Sequence, residues 1–250
     1  MAGHSKWANI QHRKGRVDAA RGKLWSKLSK AIIIAAQSGG GDPTANFKLR
    51  KAIDDAKAVS MPKDNIERAI KRGTGELGGD RVEEVVYEGY GPGGVAVMCE
   101  TLTDNRNRTG PEINTIFKKC GGEVGKSGCV AYLFERKGVF VFPEGTDEEA
   151  LTMLGLEHGA EDVETLDDGK LQVTCPPDNH QSLSDAIAES DFEPEMDQVT
   201  LVAQTTIDLD PDNGGKVMRL LEQLDDHDDI QNVSTNLNIT DELMAELSAE

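Results

Sequence analysis

Aromatic residues are scarce in this chain, 4% of 250 residues, with two tryptophans, three tyrosines and six phenylalanines. Its cores must therefore be built mainly from Ile, Leu, Val and Ala. Long apolar runs are missing too: the longest, Ala31 to Ala36, is six residues, far short of the roughly 20 that a membrane helix needs. Behind Met1-Ala2-Gly3-His4-Ser5-Lys6 there is no apolar stretch, so no secretory signal and no membrane contact are expected, and the expected location is cytoplasmic. Four cysteines, Cys99, Cys120, Cys129 and Cys175, stand 21, 9 and 46 residues apart. That spacing excludes paired zinc ligands, and so few cysteines exclude a disulfide scaffold; reduced, mostly buried thiols are expected. His4, His12, His158, His180 and His227 are scattered, without the spacing of a metalloprotease helix.

Positive charge is short overall but not evenly so. The chain has 27 Lys and Arg against 45 Asp and Glu, a net charge of −18. Residues 1–80 nevertheless carry 16 bases and eight acids, residues 81–135 six and eight, and residues 136–250 five and 29. A whole-chain pI near 4.7 argues against nucleic-acid binding, whereas its distribution argues for it. The two ends of the chain are built to meet different partners: nucleic acid at the basic end, and a basic protein at the acidic end.

Periodicity divides the chain into three domains. Residues 1–80 read as a polar arm followed by three helices: Val17 to Gln37, ending at Gly39-Gly40-Gly41; a second, capped by Thr44, with Leu49, Ala52, Ile53 and Ala56 on its apolar face; and a short third opening at Pro62. Beyond the glycine-rich 73–80 segment the period becomes extended. Strands are predicted at Val82–Tyr90, Val95–Thr103 and Val130–Phe134, with a helix at Thr109–Lys119. Residues 136–203 then hold a complete βαββαβ set, and a strand at Thr205–Leu209, a helix at Gly214–Leu224 and a strand at Ile230–Thr235 follow. The expected fold is a multidomain α and α+β protein. A three-helix domain precedes two ferredoxin-like α+β domains, and residues 136–203 are inserted into a discontinuous domain of 81–135 plus 204–250.

Within the first helix Arg16, Lys23 and Lys30 fall seven apart and Lys27 lies between them, so the four occupy one strip beside an apolar face of Leu24, Leu28, Ala31 and Ala35. Such a row suits the closely spaced phosphates of a nucleic acid better than the edges of its bases. Lys48, Arg50 and Lys51 extend the positive field along the second helix. In the arm, Lys6, Trp7, His12, Arg13 and Lys14 interleave cations with rings able to stack on bases. Arg106 and Arg108 precede a predicted helix start, where free N–H groups favour anions. Enzyme readings fare worse. Gly121 to Ser127 imitates a phosphate loop, but Cys120 stands where that loop requires glycine. Asp225-Asp226-His227-Asp228-Asp229 lacks the alternation of a calcium loop and reads as a solvated helix end. No catalytic residue, metal or cofactor is expected.

Three blocks, Met1 to Lys14 (MAGHSKWANIQHRK), Met61 to Ile66 (MPKDNI) and Tyr87 to Gly94 (YEGYGPGG), resemble the YebC or PmpR-type family. Mitochondrial members of that family are translational activators of cytochrome oxidase subunit one. The resemblance implies a helical domain followed by two α+β domains. It also implies a role as a cytoplasmic DNA-binding transcriptional regulator, or as a ribosome-associated factor, contacting ribosomal or transfer RNA, that relieves stalling. A metal-dependent hydrolase using the C-terminal acids is the remaining expectation, and the weakest.

Overall fold

The structure is a computed structural model that describes residues 21–166, 168–240 and 243. By packing, these fall into two compact units: one holds the described residues through Cys129 together with Gly215–Val233, the other Val130–Gly214 and the described residues from Ser234 onward.

The first unit opens with three helices, α1 (Arg21–Gly39), α2 (Phe47–Ala58) and α3 (Lys63–Gly73). Ile32, Ile33, Ala35 and Ala36 of α1 bury against Leu49, Ala52, Ile53 and Ala56 of α2 and Ile66 and Ala69 of α3, the apolar periods expected of amphipathic helices. The same core runs on to Val82 and Leu102, so the helices are not packed apart from the strands that follow. Gly73 is where α3 comes closest to α1: a Cβ there would lie 2.6 Å from the Ile33 carbonyl oxygen. The α2 cap differs from expectation. Thr44 gives its hydroxyl to Asp42 at 2.7 Å, and Asn46 caps instead, accepting from the Leu49 N–H at 3.1 Å. Its amide also donates to Ala35 O at 2.8 Å and Gly40 O at 2.9 Å, tying α2 to the end of α1.

Strands β1 (Glu83–Tyr90) and β2 (Ala96–Thr103) form the expected antiparallel hairpin, from Glu83 opposite Thr103 to Tyr90 opposite Ala96. Gly93 and Gly94 turn it with φ of 73° and 78°, a backbone region that side chains disfavour. Helix α4 (Arg106–Lys119) begins three residues earlier than expected because Asn105 caps it, accepting from the Arg108 N–H at 3.2 Å. A two-residue β3 (Glu123–Val124) and β8 (Ile230–Thr235), the latter following helix α7 (Pro211–Asp225), complete a sheet of order β3-β1-β2-β8. Residues 130–133 do not form the expected strand; a short 3-10 turn at Ala131–Leu133 leads into one long strand, β4 (Phe134–Phe142). The strand expected at 205–209 is reduced to a single bridge between Ile207 and Leu237.

The second sheet is β5 (Asp162–Thr165), β6 (Leu171–Cys175), β4 and β7 (Met196–Ala203) in that spatial order, all antiparallel. With α5 (Glu148–Glu157) and α6 (His180–Ala188) the chain order is βαββαβ, the ferredoxin-like arrangement. Alternation along β4 explains why its second half, Gly138 to Phe142, is apolar on both faces: Phe140 and Phe142 pack with Leu151, Leu183 and Ile187 of the helices, while Val139 and Val141 pack with Met196 and Val202. The fold is thus a multidomain α+β one.

Candidate nucleic-acid interface

Helix α1 presents Lys23, Lys27 and Lys30 on one strip, as their spacing requires, but the strip is not open. Each ammonium is held by the acidic turn between α7 and β8. Lys23 Nζ donates to Asp226 Oδ2 at 3.1 Å and to the Asp226 carbonyl at 3.2 Å. Lys27 Nζ reaches the Asp225 carbonyl at 2.5 Å and its Oδ1 at 3.4 Å. Lys30 Nζ reaches the Asp228 carbonyl at 2.9 Å and bonds Asp229 Oδ1. The expected open cationic row is corrected to an ion-pair ladder, and the acidic run 225–229 is its other rail, not a solvated helix end. The physical reason is that the last carbonyls of a helix are unsatisfied and carry negative partial charge, which cations stabilise. A lysine row at successive turns supplies that charge to the end of α7 and to the carboxylates beyond it.

The rungs are unequal. Side-chain exposure is 48% and 77% for Lys23 and Asp226, 16% and 36% for Lys27 and Asp225, and 14% and 2% for Lys30 and Asp229. Asp229 also accepts from Arg108 at 2.7 Å and from the Thr109 hydroxyl at 2.6 Å, with Thr103 Oγ1 at 3.4 Å. Its own carbonyl takes the Leu102 N–H at 2.8 Å, which starts the pairing of β8 with β2. Burial alone would push the Asp229 carboxyl up; hydrogen bonds from Lys30, Thr109 and Arg108 outweigh it and hold the group well below the usual carboxylate range.

Arg108, half-exposed, pairs with Asp229 and is flanked by Asp104 at 3.4 Å and Glu112 at 3.9 Å as well. Arg106 is exposed, with Glu83 3.8 Å away. On α2, Lys48 is exposed, Lys51 is half-buried, and the Arg50 guanidinium sits 5.4 Å above the Phe47 ring, a cation–π placement that fixes its stem. Helix α3 adds the exposed Arg68 and Lys71. Over residues 47–73 eight bases meet four acids, so the excess charge lies on α2 and α3. Lys6, Trp7, His12, Arg13, Lys14 and Arg16 lie outside the described residues.

Among the described residues, Glu112, His227 and Asp229 bring three ligand-type atoms within 4.8 Å of one another. Their bonding is already complete. The Asp229 N–H donates to His227 Nδ1 at 3.1 Å, which leaves the proton on Nε2, 3.0 Å from a Glu112 oxygen. Lys30 and Arg108 neutralise Asp229, so a metal ion would have to displace two fixed cations. A second cluster joins His180 to Asp197 at 2.7 Å and stacks it on Phe140 at 5.0 Å. Cys175 is fully buried, and burial pushes its thiol up to about 11, the opposite of what a nucleophilic thiolate needs.

Asp225, Asp226 and Asp229, with Thr103 and Thr109, are the partners of the lysine row that local spacing does not reveal. A usable signal existed: a lysine row with a rise of one turn per rung, and a single compact acidic run able to match it.

The architecture and charge layout define an α+β protein with a basic helical face; among the described residues no helix is long and apolar enough to cross a membrane. Residues 5–76 match the family description "TACO1/YebC protein N-terminal domain" and residues 82–237 match "TACO1/YebC second and third domain". The chain belongs to the TACO1/YebC family. It is 70% identical to a "probable transcriptional regulatory protein" of Rhodopirellula baltica over 98% of this chain and 100% of that one. A protein of the same description from Thioalkalivibrio sulfidiphilus is 52% identical, with both chains covered completely. The crystal structure of a conserved hypothetical protein from Aquifex aeolicus superposes with a TM-score of 0.86 at 45% identity, covering 94% of this chain and 98% of that one.

Proposed function

We propose that this protein is a non-enzymatic regulator of gene expression that binds nucleic acid through α2, α3 and the basic segment preceding α1. It acts in the cytoplasm as a DNA-binding transcriptional regulator. The observation that carries the reading is the segregation of charge: 16 of the chain's 27 bases stand in residues 1–80 and 29 of its 45 acids in residues 136–250. Phosphate binding by such a face releases condensed counterions and needs no base contact. Apart from Asp225, Asp226 and Asp229, which pair with α1, the acidic residues beyond 136 repel polyanions at short range and are left for a basic protein partner. The relatives' description as transcriptional regulatory proteins supports the regulatory role.

Lysines outnumber arginines on α1 and α2, and point charges on flexible stems suit backbone contact better than the bidentate readout of guanine. That favours, as a second reading, a ribosome-associated factor contacting ribosomal or transfer RNA. One experiment divides the two. A DNA regulator binds its own promoter duplex at least about tenfold tighter than a scrambled duplex, a discrimination of about 1.4 kcal/mol. A ribosome factor co-sediments with ribosomes and shows no promoter preference. Absence of both removes the proposal.

A further inference from the structure

The ladder between α1 and the 225–229 turn does more than join two elements. Its rungs are graded, from a sealed pair at Lys30–Asp229 to a largely solvent-exposed one at Lys23–Asp226. We infer that Asp225 and Asp226 are internal stand-ins for nucleic-acid phosphates: they occupy Lys23 and Lys27 in the free protein, and polyphosphate displaces them on binding. Lys30 and Asp229 stay paired throughout. This rests on the function proposed above, extends its phosphate-binding surface onto α1 and adds a regulation of that part.

The geometry carries it in three steps. First, each lysine meets one carboxylate oxygen and one carbonyl oxygen, an oxygen pair that a phosphodiester reproduces. Second, the Lys23–Asp226 pair is exposed on both sides, so it contributes little and is screened by salt, and at the more sheltered Lys27 the aspartate itself is still about a third exposed; a denser polyanion can therefore outcompete a single aspartate, first at Lys23 and then at Lys27. Third, Asp229 is not exchangeable. Arg108, Thr109 and Thr103 hold it in place as well as Lys30, and opening the Lys30 pair would break an ion pair whose side chains are only 14% and 2% exposed. The result is a hinge point at Lys30 with two rungs that open. Occupied rungs also set a threshold: a weak or isolated phosphate is refused, and only a ligand presenting several phosphates in a row gains entry. Once displaced, Asp225 and Asp226 face outward as a new acidic surface beside the bound strand.

The test uses the full chain, a fluorescein-labelled DNA duplex and a labelled RNA hairpin. Asp225→Asn with Asp226→Asn keeps side-chain shape and leaves the lysine–carbonyl bonds, but removes the competing charge. Glu148→Gln with Glu149→Gln, two exposed acids of α5, removes the same charge without touching the ladder. The 225/226 pair is expected to bind about tenfold tighter than wild type at low salt, a gain that shrinks as salt rises and screens the aspartates that compete in wild type. The 148/149 pair should stay within about twofold of wild type. Asp226→Asn alone, at the most exposed rung, should give a smaller gain of the same sign and covers a double variant that fails to fold. Tighter binding of the hairpin only, or of the duplex only, identifies which phosphate backbone fits the row. If wild type binds and the 225/226 pair gains no more than the 148/149 pair, the stand-in idea is overturned while the proposed function survives. If neither wild type nor any variant binds either probe, both fall.

Discussion

Replacing Asp229 with alanine is expected to destabilise the first unit by about 3–5 kcal/mol, the range for removing one partner of a buried, hydrogen-bonded charge cluster. The substitution leaves the Lys30 ammonium and the Arg108 guanidinium without the carboxylate they share and removes an acceptor of the Thr109 hydroxyl. It also loosens the point where β8 begins against β2. Urea unfolding followed by far-ultraviolet circular dichroism should show a lower midpoint with an unchanged slope. Asp229→Asn keeps the volume and isolates the charge. Because the folded carboxyl is depressed below its unfolded value, the unfolded chain takes up the proton first as pH falls. The stabilisation is complete at neutral pH and declines below about pH 4. The gap between wild type and Asp229→Asn should therefore narrow in acid. A gap constant from neutral pH into strong acid would mean that the ion pairs to Asp229 contribute nothing.

The second large effect concerns nucleic acid. Lys48→Gln, Arg50→Gln and Lys51→Gln together are expected to weaken binding roughly a hundredfold at low salt, taking about 1 kcal/mol per lost phosphate contact. The log–log salt slope on a duplex should fall by as much as about 2.7, at about 0.9 per phosphate neutralised. None of the three is among the buried core residues of α2, which are Leu49, Ala52, Ile53 and Ala56, so thermal stability should change little. An unchanged slope would move the interface off this helix.

Much of the fold was legible because its signals are local. The apolar positions of α2, the β1–β2 hairpin around Gly91 to Gly94 and the βαββαβ order of β4 to β7 follow from periods of 3.6 and 2 and from turn chemistry. Failures came where a distant partner decided. Asn46 displaced Thr44 as cap because its amide also ties to Ala35 and Gly40 of the preceding helix end. Val130 to Leu133 looks extended by composition yet turns, and Thr205 to Leu209 yields only a bridge at Ile207, since strand formation depends on the neighbour available. The site shows the same division. Helical spacing put Lys23, Lys27 and Lys30 on one strip, but that Asp225, Asp226 and Asp229, about 200 residues on, would fill the strip was invisible to any local rule.

Acylation footprinting of the intact chain, with and without saturating duplex or RNA hairpin, tests the placement of the interface most directly. Protection of Lys48 and Lys51, with Lys137 and Lys170 equally reactive in both states, is the predicted pattern. Unaltered reactivity at Lys48 and Lys51 under saturating ligand, or protection confined to the lysines beyond residue 130, would contradict it.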